Sequence, residues 1–260
     1  MLGKLFKHDM RALSRWMRFV VLGIISLALL ITVSIAIDTQ YYDSIVQSIQ
    51  VMVMGLGVMG LYASVIITAV FVYVHYYRSM FSDEGYLTHT LPAKSWHILL
   101  SKLLSSLLWM FISTLSLVLG VFIIAWVTVG DLYFISSALR SIGEYVNAAT
   151  VIMAPADLLI SSVSGLLQIF LAITIGCAIA NKHRFWAAFG IYAAISACSG
   201  LINSIFGFPT FITLMFSYDD ANITNNANIM LMIDLIKNCA IATICFFWIN
   251  RLLKRRLNLQ

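Results

Sequence analysis

Asp234 and Lys237 stand three residues apart in an otherwise uncharged run, Ile229 to Ile249. At helical spacing they are neighbours on one face, so each can neutralise the other. A charge at the bilayer centre costs about 2.5–3.5 kcal/mol on insertion scales. Asp234 lies five residues inside the outer end of the run, roughly 7 Å at 1.5 Å per residue, which lowers that figure. The pair fits two descriptions: a self-neutralising pair near the interface, or a charged lining of a translocation path.

The other residue types able to do chemistry do not assemble into a recognisable site. His8, His75, His89, His97 and His183 are scattered without metal-ligand spacing, and no H-E-x-x-H occurs. Gly55-Leu56-Gly57-Val58-Met59-Gly60 fits the G-x-G-x-x-G pattern of dinucleotide-binding folds. That pattern needs a preceding strand and a following acidic residue in a βαβ unit, whereas here it lies inside a long apolar run. These glycines instead suit close approach of helices, as does Gly60 with Ser64. Ser161/Gly165, Gly190/Ala194 and Ser196/Gly200 repeat the small-residue spacing. No G-x-x-x-x-G-K-[ST] phosphate loop is present. Cys177, Cys198, Cys239 and Cys245 all fall in apolar runs, where a thiol behaves as a small apolar group rather than half of an external disulfide. Paired intramembrane acids for proteolysis are also missing, since only Asp234 lies inside a run.

The elements that must position these residues follow from composition. Of 260 residues, 61% are apolar and 10% charged, against about 25% charged in a soluble domain. No soluble fold of this length hides so much apolar surface; lipid does. Charge-free runs give six spans: 19–37, 49–77, 103–129, 158–180, 185–206 and 229–249. Each reaches the roughly 20 residues needed to cross about 30 Å of hydrocarbon. Backbone groups in lipid must pair within their own segment, which selects helix. The alternation of a membrane β-barrel is missing. Residues 19–37 are too long for a signal-peptide core and lack a small-residue cleavage site. The expected fold is an all-α membrane protein, one transmembrane domain over residues 1–260.

Basic residues set its orientation. Fourteen of the 16 Lys and Arg residues fall in alternate segments: before span one, between two and three, between four and five, and after six. Asp38, Asp43, Asp131, Glu144, Asp157, Asp219 and Asp220 lie on the opposite side. Both termini are therefore expected in the cytoplasm, and the net charge of +5 suits anionic headgroups rather than nucleic acid.

Three stretches outside the spans carry more structure. In Lys4–Arg18, Phe6, Met10, Leu13, Trp16 and Met17 recur at helical spacing opposite Lys4, Lys7, His8, Arg11, Arg15 and Arg18. This predicts an amphipathic helix, residues 1–18, lying on the cytoplasmic membrane surface and leading into span one. In the connection 78–94, Ser82 followed by Asp83 and Glu84 is a helix-start signal, and Pro92 can open the next helix. Phe81, Tyr86 and Leu87 would be apolar groups near the cytoplasm, a place where a docking partner accounts for them. The outer connections, Gly130–Asp157 and Gly207–Asn228, are longer than helix packing needs; each has room for a surface-lying or re-entrant segment.

Met1–Arg18, with its Leu-Gly-Lys-Leu and Arg-Ala-Leu-Ser runs, resembles the permease subunits of ATP-binding-cassette (ABC) type 2 exporters, especially the small ones of Gram-positive bacteria. So do Met80-Phe81-Ser82-Asp83-Glu84-Gly85-Tyr86-Leu87, Thr90-Leu91-Pro92 and Ser101-Lys102-Leu103. The span order matches over the whole chain; residue-level likeness is confined to these stretches. The resemblance implies that the first segment is an elbow helix. It further implies that Ser82, Asp83, Glu84, Gly85, Tyr86 and Leu87 form a coupling helix docked on an ABC ATPase subunit. ATP and magnesium would then bind that partner and no cofactor this chain. Two permeases, identical or paralogous, would pair in the plasma membrane of a bacterium to export a peptide, drug or lipid. An ion-coupled secondary transporter and a non-transporting scaffold are the alternatives.

Overall fold

The computed structural model describes residues 2–37, 44–81, 95–129, 137, 140, 147–180, 184–215 and 220–257. Six long helices account for nearly all of them: α1 (Leu2–Ala36), α2 (Ser44–Phe81), α3 (Ser95–Val129), α4 (Ala148–Ile179), α5 (Arg184–Met215) and α6 (Asp220–Leu257). No strand occurs among the described residues. All six are long and apolar enough to cross a membrane, and the chain is a multi-pass membrane protein. Helix is nearly unopposed by sequence: there are three prolines in 260 residues. One of them, Pro155, sits inside α4, where it removes a backbone donor without ending the helix.

The helices are longer than the uncharged runs that announce them. At 35 residues, α1 and α3 extend about 52 Å each, well beyond the roughly 30 Å of hydrocarbon. A charge limits what lies in lipid; it does not stop a helix. So α4 begins at Ala148 and takes in the last ten residues of the expected 130–157 connection. Phe208–Met215 continues α5 rather than forming a separate external element. The residues expected to lie flat before span one are the first turns of the same unbroken α1.

Two compact units divide the chain: Met1–Tyr76 with Leu104–Ala138, and Tyr77–Leu103 with Leu139–Gln260. In the first, α1 and α2 form an antiparallel pair. Contacts descend in step: Asp9 with His75, Trp16 stacked on Phe71, Leu27 against Gly60 and Ile31 against Gly57. At the far end Gln50 Nε2 donates to the Ser34 carbonyl at 2.6 Å. The core here is Ile24, Ile31 and Leu61, backed by Leu117 and Ile124 of α3. Gly120 lets α3 approach Ala28 closely.

In the second unit α4 packs most extensively on α6 and then on α5. Gly176 permits the α4–α5 contact, since a Cβ there would lie 2.6 Å from the Ala188 backbone. The end of α4 is closed by the Ala180 N–H donating to the Gly176 carbonyl at 3.0 Å.

Candidate functional site

Residues in α4 and α6 build a polar seam inside the second unit. The helices run in the same direction, as two spans separated by one crossing must. Thr150 Oγ1 donates to Asn228 Oδ1 at 2.8 Å. Farther along both helices, Asn238 Nδ2 donates to Asp157 Oδ1 at 3.4 Å. Between these two contacts, Lys237 Nζ donates to Asp234 Oδ1 at 2.5 Å. Lys237 is the more enclosed of that pair, 12% exposed against 34% for Asp234. The i, i+3 spacing alone sets this ion pair, so it forms wherever α6 is helical. Together the three contacts form a polar group of two carboxylates, one ammonium, two amides and a hydroxyl on α4 and α6. Its formal charge is −1. Such a group can hold two helices together, present a cation-binding surface, or do both.

The first unit has its own polar contacts. Asp9, on the inward face of α1, is buried, and His75 Nε2 lies 3.8 Å from its Oδ1. Deeper in, Thr68 joins α2 to α3. Its hydroxyl donates to the Ser64 carbonyl at 2.8 Å and lies 2.9 Å from Ser113 Oγ. One hydroxyl has one proton, so Ser113 is the donor across the helices. Ser64, in turn, donates back to Leu61. On α3, Ser105, Ser106, Ser113 and Ser116 of this unit are buried, and so are Ser101 and Lys102 in the part of the helix that belongs to the second unit. Lys102, grouped by sequence with a cytoplasmic connection, thus lies within a helix and is only 3% exposed.

The sequence-derived candidates are distributed as follows. Asp234 and Lys237 meet as expected, and elsewhere on the same helix Asn238 bonds Asp157 of α4. Ser82, Asp83, Glu84, Gly85, Tyr86 and Leu87 lie outside the described residues. Of the surface-helix residues, Leu13 is buried with Met17, whereas Phe6 and Met10 are half-buried. The inward part of that apolar stripe is therefore used in contacts within the protein. Trp16 alone of them is exposed, at 56%. No family model, curated protein or solved structure matches the chain.

Gly57 and Gly60 do admit Ile31 and Leu27, so the G-x-G-x-x-G stretch is a helix-packing element within α2. The other small-residue pairs behave differently: Gly165, Gly190 and Gly200 have nothing within 4 Å of an added Cβ. The contact of Asp157 with Asn238 could not be read locally, because it joins positions 81 residues apart. The buried polar residues of α3 had a signal in their helical spacing, four residues from Lys102 to Ser106, seven from Ser106 to Ser113 and three from Ser113 to Ser116.

Proposed function

We propose that this chain is the permease subunit of an ATP-driven ABC exporter, with both termini cytoplasmic in a bacterial plasma membrane. The observation that carries it is the Met80–Leu87 stretch and its resemblance to the coupling helix of type 2 permeases. The alternation of basic segments and the six membrane-length helices are compatible with it. The sequence contains no phosphate loop, so energy would come from a separate ATPase, with a second permease completing the path. The elbow role of Met1–Arg18 belongs to the same proposal. Transmission requires a short stiff segment, because closure of the ATPase pair must arrive as a rigid-body displacement.

Affinity purification of the full chain from its native membrane tests this. A stoichiometric ATPase is expected in the eluate, and E84A and L87A should each reduce its recovery several-fold while the permease amount stays constant. An eluate without ATPase, or undiminished recovery in both variants, overturns the docking assignment.

A second reading, an ion-coupled transporter, is favoured by the α4–α6 seam. Such proteins place ionisable groups in or near the bilayer at a helix interface, and Asp157, bonded to Asn238, adds a second carboxylate to the helix pair that carries Asp234 and Lys237. Uptake or efflux that follows an imposed proton gradient and ignores ATP would select it.

A further inference from the structure

Two enclosed polar groups of the first unit, the Ser106 hydroxyl and the Trp109 indole Nε1, have no hydrogen-bond partner among the described residues. Their residues are only 1% and 7% exposed. Leaving such groups bare is costly, and folded proteins pair nearly all of them, with protein or with ordered water. Both lie on one seam of α3. Ser106, Trp109, Ser113, Ser116 and Gly120 recur at spacings of three and four residues, which keeps them on one side of the helix. That side faces the other two helices of the unit. Gly120 lies against Ala28 of α1, and Ser113 Oγ is 2.9 Å from Thr68 Oγ1 of α2.

The register of that hydroxyl pair sets a second polar pair beside Ser106. Consecutive spans are antiparallel, so advancing along α2 from Thr68 means retreating along α3 from Ser113. Four residues lead to Val72, which is fully buried, opposite Trp109. Seven residues, close to two full turns, lead to His75 on α2 and Ser106 on α3. His75 in turn meets Asp9 of α1, with its Nε2 3.8 Å from Asp9 Oδ1. That separation is too long for a direct hydrogen bond. A polar contact of such length between enclosed groups is one that a water can bridge. Asp9, His75, Ser106 and Trp109 therefore gather at one level of the three-helix unit.

We propose that an ordered water binds at this junction, accepting a hydrogen bond from Trp109 Nε1, sharing one with Ser106 Oγ and bridging His75 to Asp9. These four polar groups match the two to four that an internal water uses. Chemistry selects water over other small occupants. An indole N–H can only donate, so a cation would leave it unpaired, while an anion would face the carboxyl group of Asp9. A lipid chain offers no acceptor. Water both donates and accepts, and it is small enough for residues this enclosed. It ties α1, α2 and α3 together at one point, a role that stands apart from the transporter reading and holds for either kind of transporter.

Water–protein nuclear Overhauser spectroscopy on the full-length protein in micelles, with isotope-labelled tryptophan and histidine, provides the test. Trp109→Phe and His75→Gln identify the two signals by their disappearance. In the wild type, the Trp109 indole proton and the His75 ring proton beside Nε2 should both show cross-peaks at the water frequency. Relay through the exchanging Ser106 hydroxyl would give the same peaks, so Ser106→Ala is the control. There the cross-peaks should persist, because the site keeps its room. Ser106→Val should abolish both, its methyl groups taking the place of the water. A wild type with no water cross-peak at Trp109 overturns the proposal, as does one at Trp109 without one at His75. Loss of the cross-peaks in Ser106→Ala also overturns it, in favour of hydroxyl relay. Should Ser106→Val fold poorly, the wild type and Ser106→Ala still decide.

Discussion

Gly176→Ala should weaken the α4–α5 contact more than any other single methyl added to this unit's described glycines. The new Cβ would lie 2.6 Å from both Cα and N of Ala188, whereas ordinary contact begins at 3.4 Å. The obstacle is backbone, so no rotamer change relieves it, and the helices must separate by about 0.8 Å there. A radial gap of that size forfeits about a quarter to a half of the dispersion attraction between the atoms involved. Overpacking of this kind costs about 1–3 kcal/mol. Against it stands the helix-propensity gain of about 1 kcal/mol from replacing glycine by alanine. Gly165→Ala, on the same helix with nothing within 4 Å, receives the same gain without the clash. The difference between the two variants therefore isolates the contact, and about 2 kcal/mol is expected. Equilibrium unfolding in mixed micelles, followed by far-ultraviolet circular dichroism, measures it. Equal stabilities for Gly176→Ala and Gly165→Ala would refute the packing argument, because the close approach would not exist.

Two further perturbations probe polar contacts. Asp234→Asn and Lys237→Met should each destabilise the protein, by about 1–2 kcal/mol once partial exposure is allowed for. The double variant should regain most of that loss, which the same unfolding assay detects as strong non-additivity. Thr68→Val and Ser113→Ala should show a coupling of about 0.6 kcal/mol in a double-mutant cycle, typical of a hydroxyl contact between membrane helices.

Hydropathy makes the number of spans legible because lipid imposes one rule, continuous apolar helix, on every crossing. It makes their ends poorly legible. The expected third span starts at Leu103, yet α3 starts at Ser95, because Lys102 can be buried within a helix instead of ending it. The first span and the amphipathic segment before it merge for a related reason: nothing between Arg18 and Phe19 breaks helical geometry. Gly57 and Gly60 could be read as packing glycines from spacing alone, but their partners Ile31 and Leu27 could not. The Asp234–Lys237 pair was visible since it is local to one helix. Asp157 was grouped with the outer residues, and its contact with Asn238 depends on how α4 and α6 are set side by side.

That contact also separates the two functional readings, through charge. Lys237 matches Asp234, and among the described residues no cation pairs with Asp157; its donor is the neutral amide of Asn238. Under the exporter reading the seam needs only to keep α4 and α6 moving together. Asp157→Asn would preserve that, because the new amide oxygen can still accept from Asn238. Under the ion-coupled reading the carboxylate is the group that loads and releases a cation, so the same change removes the coupling while leaving the fold intact. Transport in reconstituted vesicles, measured beside unfolding stability, distinguishes these outcomes. Retained transport with Asp157→Asn makes the seam a structural joint and leaves the exporter reading standing. Transport lost at unchanged stability, together with lost dependence on a proton gradient, would move the energy source from a partner ATPase into the bundle itself.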